Sequence, residues 1–155
     1  EKAAKIYEKL NLDKIADNAD DKQKHRLNES LKVVAIKTYN QQAKATNKFN
    51  YMEDMKITLK WSQENVLNAG VTVFKGNEYV YGTNTFNTPN AVKGKTVDLT
   101  LKLNLGPGKY RLGAGVFGKT ESESIAYVPD GPEFVVEGED IRAWGGITKL
   151  DSNWG

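Results

Sequence analysis

Cysteine is absent from the 155 residues, which excludes a disulfide framework, a thiolate zinc site and a cysteine nucleophile. The absence is compatible with a reducing compartment. Histidine occurs once, as His25 in a charged stretch, so neither a Ser-His-Asp triad nor a histidine metal cluster can be assembled in the rest of the chain. An excess of one charge is missing too: 22 basic against 20 acidic residues leave a formal +2. That gives no electrostatic footing for nucleic acid, which needs clustered positive charge. There is no secretory signal, no apolar run near the roughly 20 residues that a membrane span requires, no internal repeat and no low-complexity tract. The chain opens on Glu1, from which the expectation is a piece cut from a longer protein.

What is present reads as one ordinary domain. With 39% hydrophobic and 10% aromatic residues, a chain of this length buries roughly two thirds of its unfolded surface. Residues 1–20 place Ala3, Ile6, Tyr7 and Leu10 on one side at helical spacing, with Lys5 and Lys9 on the solvated side. The charged run over 20–30 follows as a linker. These observations divide the chain into a helix and linker over 1–28 and a β domain over 29–155.

From Leu31 the pattern has period two. LKVVAIKTY (31–39) is rich in β-branched residues with apolar side chains on both faces, as in a strand covered on both sides or lying at a subunit contact. MKITLKWS (55–62) alternates Met55, Ile57, Leu59 and Trp61 against Lys56, Thr58, Lys60 and Ser62. Further strands are expected at 70–75, 78–82, 96–103, 109–117, 124–128 and 133–137, with a last short one around Ile147 to Leu150. The stretch GNEYVYGTNTFN (76–87) reads as a strand running into a polar end, and the turn at LGPGKY (105–110) carries Pro107 between two glycines. Many short strands with Gly and Pro turns predict an all-β sandwich or barrel.

GAGVFGKT (113–120) spells the phosphate-binding pattern G-x-x-x-x-G-K-[ST], with Lys119 and Thr120 in the lysine and magnesium positions. That chemistry needs a buried parallel strand before the loop and a helix after it. ESESIAYVPDGP follows instead, too short and Pro-broken for a crossover helix, so a sheet strand and turn is the expectation. A pair of carboxylates among Glu53, Asp54, Asp98, Glu121, Glu123, Asp130 and Glu133 stays open as a glycosidase-like site, although most lie in expected turns. No cofactor and no metal-ligand set is indicated.

Strand alternation sends Thr58, Lys60, Asp98, Thr100, Lys102, Arg111 and Phe117 outward, with Gly113 and Gly115 keeping the surface low. Donors and acceptors beside an aromatic ring suit a sugar, whose hydroxyls bond in plane and whose apolar face packs on an aromatic. The expected carbohydrate-binding residues are therefore Thr58, Lys60, Thr100, Lys102, Arg111 and Phe117. A plain solvent-facing sheet surface is the competing reading.

VYGTNTFN (80–87), LNLGPGKYRLGAGVFG (103–118), EFVVEG (133–138) and GGITKLDSNWG (145–155) resemble, in this order, the C-terminal domain of Wzt-type proteins, the ATP-binding subunits of ABC transporters that export O-antigen and related polysaccharides. The resemblance implies an immunoglobulin-like antiparallel β-sandwich with a short N-terminal helix, leading from a nucleotide-binding domain not contained in this sequence. It implies noncatalytic binding of the non-reducing end of an O-antigen-type polysaccharide as an export tag, and no enzyme activity. A homodimer, in some relatives with exchanged C-terminal strands, the transporter membrane subunit as partner, and a cytoplasmic place at the inner face of the cell membrane are implied as well. A ligand-free dimerisation module is the alternative.

Overall fold

The computed structural model describes residues 34–138 and 145–154; the expected helix over 1–20 and the charged linker lie outside the described residues. Nine strands build two sheets: β1 (Val34–Tyr39), β2 (Lys48–Asn50), β3 (Asp54–Trp61), β4 (Asn68–Lys75), β5 (Glu78–Asn84), β6 (Thr96–Lys102), β7 (Gly108–Phe117), β8 (Ser124–Val128) and β9 (Glu133–Glu137). The first sheet has the antiparallel order β1-β3-β6. The second has the order β2-β9-β7-β4-β5, with β8 paired to the far end of β7. Both sheets turn an apolar face inward, and the chain crosses between them from β1 to β2, β2 to β3, β3 to β4, β5 to β6 and β6 to β7. This is an immunoglobulin-like β-sandwich, antiparallel except for the short pair of β2 with β9.

The core follows from the alternation. Met55, Ile57, Leu59 and Trp61 of β3 meet Val71 and Val73 of β4 and Tyr110, Leu112, Ala114 and Val116 of β7 in one buried cluster. Phe49 and Phe134 close one end edge to face, with ring centres 6.3 Å apart, and Tyr110 stacks on Phe134 at 5.5 Å. The Tyr110 hydroxyl donates to the Gly106 carbonyl at 2.6 Å, so LGPGKY forms a tyrosine corner that ties the start of β7 to the loop before it. Burial raises the Tyr110 pKa.

Two expectations change, and one strand is new. β1 is an edge strand with Ala35 and Lys37 exposed, not a strand covered on both sides, because among the described residues only β3 pairs with it and its outer face has no further layer. Residues 147–150 form bends without a strand: backbone hydrogen bonding from this stretch to the sandwich is a single bridge, Gly106 N–H to the Ile147 carbonyl at 2.5 Å, and not a ladder. β2, only three residues long and parallel to β9, has no alternation to announce it.

β4 and β5 form a tight hairpin in which Gly76 takes φ 62°, a conformation that costs glycine little. The register then slips: Val73 faces Tyr81 but Phe74 faces Tyr79, leaving Val80 as the extra residue of a bulge. The slip parts two tyrosines that strict alternation would place on one face.

Candidate functional site

The two sheets leave one long side of the sandwich open, where the edge strands β5 and β6 face each other. A groove of about 420 Å³ lies there, lined by Val73, Val80 and Tyr81 of the second sheet, Thr100 to Lys102 of the first, Leu103 to Leu105 of the loop that follows, and Ile147 and Thr148 of the C-terminal segment. A smaller hollow of about 160 Å³ continues along the same seam between Val97 to Leu99 and Thr83 to Thr85. Leu101 and Leu103 form the apolar floor because alternation turns them inward. Tyr81, on the bulged strand, stands at the rim with 49% of its surface exposed. Around it sit the polar Thr100, Lys102 and Asn104. Asn104 is held in place, its Oδ1 accepting from the Tyr51 hydroxyl at 2.9 Å and its Nδ2 donating to the Lys149 carbonyl at 3.3 Å.

The six residues read from the sequence do not share a face. Thr58, Lys60, Thr100 and Lys102 project from the outer surface of β3 and β6. There the Thr58 hydroxyl donates to Asp98 at 2.7 Å. Thr100 and Lys102, on the edge strand, also reach the groove. Arg111 and Phe117 sit on the opposite side of the molecule, on the outer face of the second sheet, because β7 belongs to that sheet. Neither offers a free surface. Phe117 is 1% exposed and packs on Phe86 at 5.6 Å between ring centres. Arg111 lies over the Phe74 ring at 4.8 Å, donates from Nε to the Pro129 carbonyl at 3.1 Å and approaches Asp130 at 3.6 Å. Alternation assigned the correct direction to these side chains but could not show that another layer covers them. Tyr81 and Asn104 were missed, the first because the bulge that redirects it has no sequence signature.

The outer face of the second sheet is a second, smaller core. Phe117 and Tyr127 are buried there with Tyr79 and Phe86 against them. Small residues beneath make room: a Cβ on Gly113 would crowd Thr72 Oγ1 at 2.6 Å and the Val128 carbonyl at 3.1 Å. Burial pushes the Tyr127 hydroxyl far above its usual pKa, outweighing the lowering by its hydrogen bond to Thr72 and the nearby Arg111 charge.

Most of the remaining candidates for chemistry are engaged structurally. The G-x-x-x-x-G-K-T residues lie on antiparallel β7 and in the turn to β8, which closes with Gly118 N–H to Glu123 O at 3.0 Å; no helix follows. Among the carboxylates, Glu53 accepts the Asn50 N–H, Glu123 accepts the Lys119 N–H and Thr120 hydroxyl, and Glu133 pairs with Lys109. Among the described residues there is no group of three or more acidic or histidine side chains placed to hold a metal ion. No helix among them is long and apolar enough to cross a membrane.

A family model for the Wzt C-terminal domain matches residues 22–150. The chain belongs to the Wzt C-terminal domain family. A solved structure described as the crystal structure of the C-terminal domain of Wzt superposes with a TM-score of 0.61 at 15% identity, over 77% of this chain and 80% of that one. At that identity the likeness speaks for the shared Wzt-type sandwich and not for its ligand. A search of curated proteins returned no match.

Proposed function

We propose that this Wzt-type domain recognises the non-reducing end of an O-antigen-type polysaccharide, without catalysis, and so selects cargo for export by an ABC transporter. The observation that carries the reading is the open seam. A groove of about 420 Å³ is within the size range of small-ligand sites, and it joins a half-exposed tyrosine to convergent polar groups over an apolar floor. A pyranose ring would lie against Tyr81 while Thr100, Lys102 and Asn104 meet its hydroxyls. Lys60 and Thr58 continue the polar surface along the outside of the same sheet and could extend contact to the next sugars of the chain. In the cell this places the domain at the inner face of the membrane, beside the transporter membrane subunit and in a homodimer.

The test is titration calorimetry with the surface polysaccharide of the source cell and a polymer of different terminal structure as control. Selective binding is expected, with Tyr81→Ala weakening it by about tenfold, the equivalent of roughly 1.4 kcal/mol. Equal binding of both polymers, or of neither, argues against recognition. A second reading, a ligand-free dimerisation module, is favoured by the tail, where Leu150 is 76% and Trp154 96% exposed. It requires that the elution volume shift on deletion of residues 143–155 while the intact domain binds no glycan.

A further inference from the structure

The C-terminal segment is where the groove acquires a wall that neither sheet supplies. Of residues 145–154, Ile147 alone is not exposed, and its side chain lines the groove opposite the Tyr81 side, followed by Thr148. Three hydrogen bonds hold the segment to the loop between β6 and β7. The Gly106 N–H donates to the Ile147 carbonyl at 2.5 Å, the Thr148 hydroxyl donates to the Asn104 carbonyl at 2.8 Å, and the Asn104 side chain donates to the Lys149 carbonyl at 3.3 Å. The seat is close enough to require glycine: a Cβ on Gly106 would collide with the Gly146 carbonyl oxygen. Gly106 itself is fixed from below by the buried Tyr110 hydroxyl. Gly145 and Gly146 precede the seated residues, and Gly146 takes φ 108°, a conformation that side-chain-bearing residues rarely adopt.

Resting on the recognition reading above, we propose that residues 146–149 are part of the glycan site itself. They form a strap whose seating on Gly106 and Asn104 completes the groove, with Ile147 and Thr148 in contact with the bound sugar. β5 and β6 are edges of different sheets and are not joined to each other, so the segment supplies lining that neither strand does. Asn104 links the two halves: one side chain is anchored to the sandwich through Tyr51 and to the strap through Lys149, and it also lines the groove. Nine of the ten residues 145–154 are exposed, so docking of the strap is treated as a local equilibrium, and a ligand that touches it must stabilise the docked state by linkage.

Gly106→Ala in the full chain isolates this equilibrium. Its φ lies outside the left-handed region, so alanine introduces no backbone strain, and the added methyl meets the strap rather than the core. Two readouts are needed: hydrogen exchange of the residue-106 amide, and affinity for the source-cell polysaccharide by calorimetry. In the unaltered chain, saturating polysaccharide is expected to slow exchange at Gly106. In Gly106→Ala, exchange is expected to speed up and affinity to fall, each by about tenfold, as for a site whose competent state has become a minority. If Gly106→Ala melts early, Ile147→Ala, which removes the wall and leaves the seat, is expected to lose affinity by a similar factor with the melting temperature retained. Faster exchange with unchanged affinity overturns the strap's role while leaving recognition standing. So does polysaccharide that binds but leaves Gly106 exchange unmoved. An unaltered chain that binds no polysaccharide overturns the recognition reading, and the proposal with it.

Discussion

The two outer faces of the sandwich share a period-two alternation and have opposite fates. On the three-stranded sheet, Lys37, Lys56, Thr58, Lys60, Asp98 and Thr100 point away from the core and meet no further layer among the described residues. On the larger sheet, Thr72, Phe74, Gly113, Gly115 and Phe117 also point away from the core, yet all are buried. The difference lies in what comes over the top. The first sheet carries long charged side chains, and no segment among the described residues covers them. The second carries glycines, which leave a trough, and Tyr79, Phe86 and Tyr127 lie down in it. An outward position in a strand is therefore not a solvent position, and a sugar site cannot be inferred from alternation until the layer above has been identified.

Truncating the buried side of that contrast should do the most damage. Phe117→Ala removes an aromatic ring from a packed cluster, and a loss of about 3 kcal/mol or more is expected in denaturant unfolding, as for buried aromatics elsewhere. A loss below about 1 kcal/mol would mean that the trough is open in solution and that Phe117 is free to serve as a sugar plate after all. Arg111→Ala should cost less, about 1–2 kcal/mol, because it removes one ring contact and one hydrogen bond from a side chain that is mostly covered. Glycan affinity should not move in this variant, since Arg111 and the seam groove lie on different sides of the molecule. Calorimetry on a folded sample checks that separation.

Much of this architecture was legible in the residues. The strands from 55 to 137 announce themselves because one face of each is apolar, and the Pro107 and Tyr110 turn is a local device that needs no distant partner to be recognised. The site was less so. Thr100 and Lys102 were read as outward because they lie on a strand with clean alternation, but the groove that they line exists only because β5 and β6 are both edges, a fact of topology. Tyr81 depends on the slip after Val73, and Ile147 on a contact with residues more than forty positions away. These are long-range arrangements, to which a period-two pattern is blind.

Alkaline pH gives a gentler probe of the buried face. The Tyr127 hydroxyl has a folded-state pKa raised well above the ordinary 10.0, chiefly by burial. Below 10.0 the group is protonated both folded and unfolded and adds no slope. Above it the unfolded chain releases the proton while the folded chain retains it, so stability must fall as pH rises past 10.0. Tyr127→Phe should flatten this part of the profile in unfolding measured between pH 9 and about 11, a window set by the reference value for tyrosine. A slope that persists in that variant is expected from Tyr110, whose pKa is raised for the same reason.

The smallest effect belongs to the solvated face and defines the other end of the comparison. Lys60 stands exposed on β3 between Ala35 of β1 and Thr96 of β6, its register partners. Its ammonium has water around it in both states, so Lys60→Ala removes little except some strand preference, and a change within about 0.5 kcal/mol is expected. The same substitution should weaken polysaccharide binding only slightly, in proportion to how far the glycan runs past the groove, and more at low salt than at high salt because the contact is screened. A destabilisation of more than about 2 kcal/mol could not come from an exposed lysine. It would show that in solution this sheet is covered by something beyond the described residues, and would make it, like the aromatic face opposite, a buried layer.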